Sequence, residues 1–126
     1  MQPESAARIW DAAQAAQALS DFLAGRTEKL FLADLLLRSA VERQVEILGE
    51  ALKHLRQNDP KTAARVPEID RIVGMRNVIA HEYGAVDYSI LWMAVTTRVP
   101  AVRQVLDELL REAGPAPATA DEAGGN

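Results

Sequence analysis

The spacing of apolar residues between Asp34 and Arg56 constrains this chain more than any other feature. Leu37, Ala40, Val41, Val45, Leu48, Leu52 and Leu55 recur at steps of three and four, while Glu42, Arg43, Glu46, Glu50 and Lys53 occupy much of the rest. At about 100° per residue this pattern gathers into one stripe along a helix. A strand, whose faces alternate at every second residue, would scatter it. Thr27 or Asp34 is suited to cap this long segment, which is expected to run to about Arg56. The segment before it repeats the pattern with Ile9, Ala13, Ala16, Leu19 and Leu23, and Gly25 stands where a helix commonly closes.

Asn58-Asp59-Pro60 interrupts the periodicity, and Pro67 either interrupts it again or opens a new helix at its first turn. A shorter helix is predicted over residues 68–83, ended by Gly84. Asp87 is placed to cap the last helix, with Ile90, Leu91, Val95, Val99, Val102, Leu106, Leu109 and Leu110 as its apolar set. Pro100 lies inside that helix, so a kink and a lost hydrogen bond to Thr96 are expected. No strand alternation, internal repeat or heptad run is present. The pattern predicts an all-α bundle of four to five helices over residues 1–113, followed by a tail at 114–126 with no large apolar residue, expected to be disordered.

A chain of 126 residues can bury one core. It has no cysteine, which excludes disulfides and thiolate metal sites, and with only His54 and His81 a zinc site would need carboxylates. There is no signal-like N-terminus and no apolar run near the roughly 20 residues of a membrane span, so a soluble cytoplasmic protein is expected. The net charge of -4 is the wrong sign for binding nucleic acid through bulk electrostatics. Locally, residues 53–76 hold six basic residues (Lys53, Arg56, Lys61, Arg65, Arg71, Arg76) against three acids, in the stretch leading to the segment GMRNVIAHEYG.

That segment carries the candidate chemistry. On a helix Asn77 and His81 lie one turn apart on one face, and Gly74 shares it, leaving room for a substrate backbone or a partner chain. Arg76 instead falls among Ile69, Ile72, Val73, Ile79 and Ala80, all within about 60° of it. An arginine in an apolar stripe must be paired, must snorkel, or is held for function. Ordinary structural roles also fit. Arg76 suits an ion pair with Glu46 or Glu50, His81 suits a helix C-terminus, Tyr83 suits a packed ring with a wet hydroxyl, and His54 suits a solvated face.

Residues 75–83, MRNVIAHEY, resemble the R-x-x-x-x-H-x-Y signature of HepT-like HEPN proteins. Residues 43–51, RQVEILGEA, are similar to that family's second-helix segment, and Val86-Asp87 falls where the family has it. The likeness spans roughly residues 9–110. It implies an HEPN-type bundle and a metal-independent ribonuclease toxin without cofactor, acting as a homodimer on RNA. It implies Arg76 and His81 as catalytic residues, Asn77 in support, and Tyr83 as the tyrosine adenylylated by a minimal nucleotidyltransferase antitoxin. The residue types suit the task. Histidine can move a proton near neutrality, and arginine presents a planar fork of donors to phosphate. One histidine cannot be base and acid in the same step, and Arg76 and His81 point about 140° apart, so a twofold dimer would complete the site. A non-catalytic HEPN module serving the nucleotidyltransferase is the alternative reading.

Overall fold

The structure is a computed structural model that describes the backbone of residues 1–81 and 86–114 and the side chains of residues 1–75 and 86–114. Its helices are α1 (Ser5–Leu23), α2 (Glu28–Ala33), α3 (Leu35–Asn58), α4 (Pro60–Ala63), α5 (Ile69–His81) and α6 (Tyr88–Ala113). No strand occurs among the described residues. Four long helices form the expected bundle, and two single-turn helices are added to it. The expected disordered tail falls on residues that, beyond Gly114, lie outside the described ones.

Both cap candidates at the second segment are used, which is why it divides. The Thr27 hydroxyl accepts from the Leu30 amide at 3.2 Å and starts α2; the Asp34 carboxylate accepts from the Leu37 amide at 3.1 Å and starts α3. Gly25, at φ 71, takes the left-handed conformation after α1 that a side chain resists. Asp87 caps α6 by accepting from the amides of Ser89 and Ile90. Pro100 lies within α6, which continues to Ala113, and the Thr96 hydroxyl donates to the Trp92 carbonyl one turn earlier.

α1 packs on α3 and α6, and α3 also carries α5. Ala12, Ala13, Ala15 and Ala16 are all buried on α1, and these small side chains let its backbone come close to its neighbours. Val41, Val45, Leu48, Leu52 and Leu55 of α3 are buried with Ile9 and Leu19 of α1 and with Val99, Val102, Leu106 and Leu109 of α6. Four positions of the predicted stripes differ, Leu23 and Leu110 being only partly buried at the helix ends. Ala40 is only partly buried, and Ile90 is exposed because α6 begins at Tyr88, whose own ring takes the inward place beside Phe31.

Chain reversal between α3 and α5 is organised by Asp59. This buried carboxylate accepts from the Gln2 amide at 2.8 Å, the Ser5 hydroxyl at 2.8 Å, the Thr62 hydroxyl at 2.7 Å and the Thr62 amide at 3.3 Å. Its side chain caps α4, where Pro60 takes the first turn and needs no donor. It also ties the start of α1 to the end of α3. The Gln2 amide, then the Thr62 and Ser5 hydroxyls, hold its carboxyl well below the usual carboxylate range. Glu68 then precedes α5 at φ 56, a left-handed conformation uncommon for a residue with a side chain. Its carboxylate faces Arg71 at 3.5 Å and Arg98 of α6 at 3.4 Å.

A depressed native pKa stabilises the fold above the unfolded carboxyl's pKa, and that contribution is lost as pH falls toward the native value. Asp59→Asn is therefore expected to melt below the parent at pH 7, with the gap narrowing below about pH 4, near the unfolded carboxyl's pKa. Thermal circular dichroism at both pH values checks it, and an undiminished gap at pH 3 would contradict the charge's role. In the core, Leu48→Ala should cost about 3 kcal/mol in chemical denaturation.

Candidate functional site

α5 runs antiparallel to α3, and the Arg56–Asp70 pair at 2.6 Å fixes the register where the hairpin begins. From that point α5 rises along α3 toward the α3 N-terminus, and the His81 backbone, about 17 Å beyond Asp70 at 1.5 Å per residue, reaches roughly the middle of α3. Ile72 and Val73 are buried and mark the inward side of α5. Position 76 follows them by four and three residues and shares that side. Gly74 marks a different side, where an added Cβ would meet nothing within 4 Å. In helical register, positions 77 and 81 follow Gly74 by three and seven residues.

The backbone of Arg76, Asn77 and His81 thus belongs to the last two turns of α5, while their side chains lie outside the described residues. Tyr83 lies wholly outside them, as does Gly84. The candidate partners of Arg76 are on α3. Glu46 faces Arg43 at 3.3 Å, and Glu50 faces His54 at 3.1 Å. His54 is therefore half-buried against a carboxylate and not simply solvated.

Chain emerging from the motif re-enters at Val86, and α6 starts beside a cluster that sequence reasoning missed. The Tyr88 ring meets Phe31 edge-on at 6.3 Å between centroids, and the Arg38 guanidinium lies 4.8 Å from the centre of the Tyr88 ring. Arg38 also donates from Nη1 to the Leu32 carbonyl, and its Nε is buried without a hydrogen-bond partner among the described residues. The Tyr88 phenol lies against the Glu42 carboxylate. The Glu42 carboxylate beside it and burial push its pKa up, opposed by Arg38. Arg38 and Glu42, one turn apart on α3, were legible as neighbours; their approach to Tyr88, nearly fifty residues on, carries no local signal.

Half of the predicted basic stretch is ion-paired. Arg56 faces Asp70, Arg65 faces Glu112 and Arg71 faces Glu68. Lys53 and Lys61 have no ion pair among the described residues. Among those residues no cluster of three or more His, Cys, Asp or Glu side chains could hold a metal ion, and no helix is long and apolar enough to cross a membrane.

Raised in the folded state, the Tyr88 pKa makes a stabilising contribution that is present below the unfolded phenol value and lost as alkaline pH rises through the native one. In a Tyr83→Phe background, absorbance at about 295 nm should titrate above pH 10, the unperturbed tyrosine value. Glu42→Gln should bring that midpoint down. An unchanged midpoint would separate Tyr88 from Glu42.

Comparison with known proteins agrees with this arrangement. The family model for HepT-like ribonucleases, "Ribonuclease HepT-like", matches residues 12–109. A protein named "Putative RNase" from Caldanaerobacter subterraneus subsp. tengcongensis is 34% identical over 82 residues, covering 65% of this chain and 72% of its own. Another of that name from Methanocaldococcus jannaschii is 29% identical over 99 residues, 79% of this chain and 90% of its own. "Probable ribonuclease HepT" of Thermococcus cleftensis is 28% identical over 99 residues, 79% and 89% of the two chains. No solved structure gives a significant match. With the family model covering most of the described helices, this chain belongs to the HepT-like ribonuclease family.

Proposed function

We propose that this chain is a metal-independent RNA endonuclease, the toxin of a toxin–antitoxin pair, acting at a site composed from two copies. The observation that carries the reading is an intact Arg76…His81 pair on the last two turns of a helix whose Gly74 side is open within the chain. In the proposed step, His81 takes the proton of the RNA 2′-hydroxyl as its oxygen attacks the adjacent phosphorus. The bond to the 5′-oxygen breaks, and His81 of the second copy protonates that leaving oxygen. The products are a 2′,3′-cyclic phosphate and a 5′-hydroxyl. Arg76 stabilises charge on the phosphorane oxygens, and Asn77 orients the imidazole or holds phosphate.

Control is proposed at Tyr83, two residues after His81. A minimal nucleotidyltransferase would transfer AMP from ATP to its phenol oxygen with release of pyrophosphate. The added phosphodiester carries about one negative charge, which repels an incoming RNA phosphate and competes for Arg76.

A second reading, a non-catalytic subunit for the nucleotidyltransferase, is favoured by the ion-paired state of Arg56, Arg65 and Arg71. Incubating the purified protein with RNA in EDTA separates the two. Cleavage is expected, and His81→Ala should lose at least ~100-fold while keeping its helical content. An His81→Ala chain that cleaves as well as its parent would sink the assignment, and no cleavage by the parent would favour the module. Tyr83→Phe should cleave normally yet gain no AMP mass when co-expressed with the nucleotidyltransferase.

A further inference from the structure

We infer that Lys53, across the α3–α5 groove from Gly74, binds an RNA phosphate that flanks the one being cleaved. That this phosphate belongs to a substrate rests on the ribonuclease reading above; the contact between Lys53 and RNA does not.

Two residues on the facing helices lack what their surroundings supply elsewhere. Arg56, Arg65 and Arg71 all face carboxylates. Lys53 has no ion pair among the described residues, although Glu46 and Glu50 precede it on its own helix. Glu46 faces Arg43 at 3.3 Å, and Glu50 Oε1 faces His54 at 3.1 Å. Lys53 is also partly buried. A lysine so placed rests its stem on the bundle and keeps its ammonium in water.

Gly74 is the second residue. A glycine inside a helix costs stability relative to alanine. Nothing among the described residues requires one here. Gly74 does not share the positive φ of Gly25 and Gly114, and an added Cβ would meet no atom within 4 Å. A glycine that the chain itself does not need marks the close approach of something else.

Helical register brings the two together. Arg56 and Asp70 join α3 to α5 at 2.6 Å, where the helices begin to run antiparallel. One turn back along α3 from Arg56 is Lys53, and one turn forward along α5 from Asp70 is Gly74. In antiparallel helices these two steps point the same way. Lys53 therefore stands opposite the gap that Gly74 leaves, as Arg56 stands opposite a carboxylate. The pattern is an ion pair whose anion comes from outside the chain. A phosphodiester suits it, being singly charged and bound by lysine as a point charge. The His81 backbone lies about 11 Å further along α5. A phosphate at Lys53 is thus separate from the one at the motif and belongs to an adjoining part of the same strand.

Fluorescence anisotropy of a short, labelled 2′-O-methyl RNA reads binding without cleavage, because the attacking hydroxyl is blocked. Lys53→Ala should weaken binding at least ~3-fold. It should also flatten the slope of log K against log salt by about 0.7, the contribution of one phosphate on a single strand. Lys53→Arg should restore most of both, and Lys61→Ala, on α4, should change neither. On cleavable RNA the loss of Lys53→Ala in kcat/KM should lie mainly in KM. Gly74→Glu sets a carboxylate opposite Lys53 in open space, so it should keep helical content and lose at least as much affinity. A parent that does not bind the oligonucleotide overturns the inference. So does a Lys53→Ala chain with the parent's affinity and salt slope, or one matched by Lys61→Ala, which would mark a diffuse charge effect. Gly74→Glu binding as tightly as the parent overturns it too. If Gly74→Glu changes the mass in solution, the gap belongs to a partner chain and the inference falls. A parent that binds through Lys53 yet cleaves nothing leaves the contact standing and removes the ribonuclease reading.

Discussion

A single buried carboxylate sets the layout on which everything else rests. Four donors reach Asp59, from Gln2, Ser5 and twice from Thr62. An aspartate can enter the interior only if its oxygens are satisfied, and here that condition pins three chain segments at one point. The end of α3, the short α4 and the beginning of α1 are fixed together. The reversal this creates sends α5 back along α3 and carries the motif backbone away from Asp59.

The two ends of the bundle consequently differ in kind. The Asp59 end is polar, with Arg56–Asp70, Arg65–Glu112 and the Glu68 pairs around it. The opposite end, where α2 meets the starts of α3 and α6, is aromatic and apolar, with Phe31, Tyr88 and Trp92 packed together and Leu35, Leu36, Ile90 and Met93 exposed. Surface ion pairs add little stability individually, so the polar end serves more to set register than to supply energy. The energy lies between, where α1 and α3 bury their alanines, valines and leucines.

What the sequence made legible follows the range of each interaction. Caps act over three residues, so Thr27, Asp34 and Asp87 could be identified from the chain alone, and all three accept the amides expected of them. Periodicity acts over a helix, so the buried stripes of α1 and α3 were visible; Ile90 was misassigned because a stripe does not say where its inward turn begins. The Asp59 hub and the Arg38–Tyr88–Glu42 cluster join residues about fifty positions apart, and nothing local announces them. For the site, the helical spacing of Gly74, Asn77 and His81 was legible, and the openness of the Gly74 side came only with the fold.

The pairing of the surface arginines has a thermodynamic consequence for any polyanion. Arg56, Arg65, Arg71 and Arg98 already face carboxylates, so they have little free charge with which to displace the ion atmosphere of a nucleic acid. Affinity that draws on counterion release falls steeply with salt, with a slope set by the number of phosphates neutralised. These four arginines offer few such neutralisations. An RNA held beside these pairs would gain little counterion release from them, so their share of its grip would depend only weakly on salt and, with a net charge of -4, approach would gain little long-range guidance.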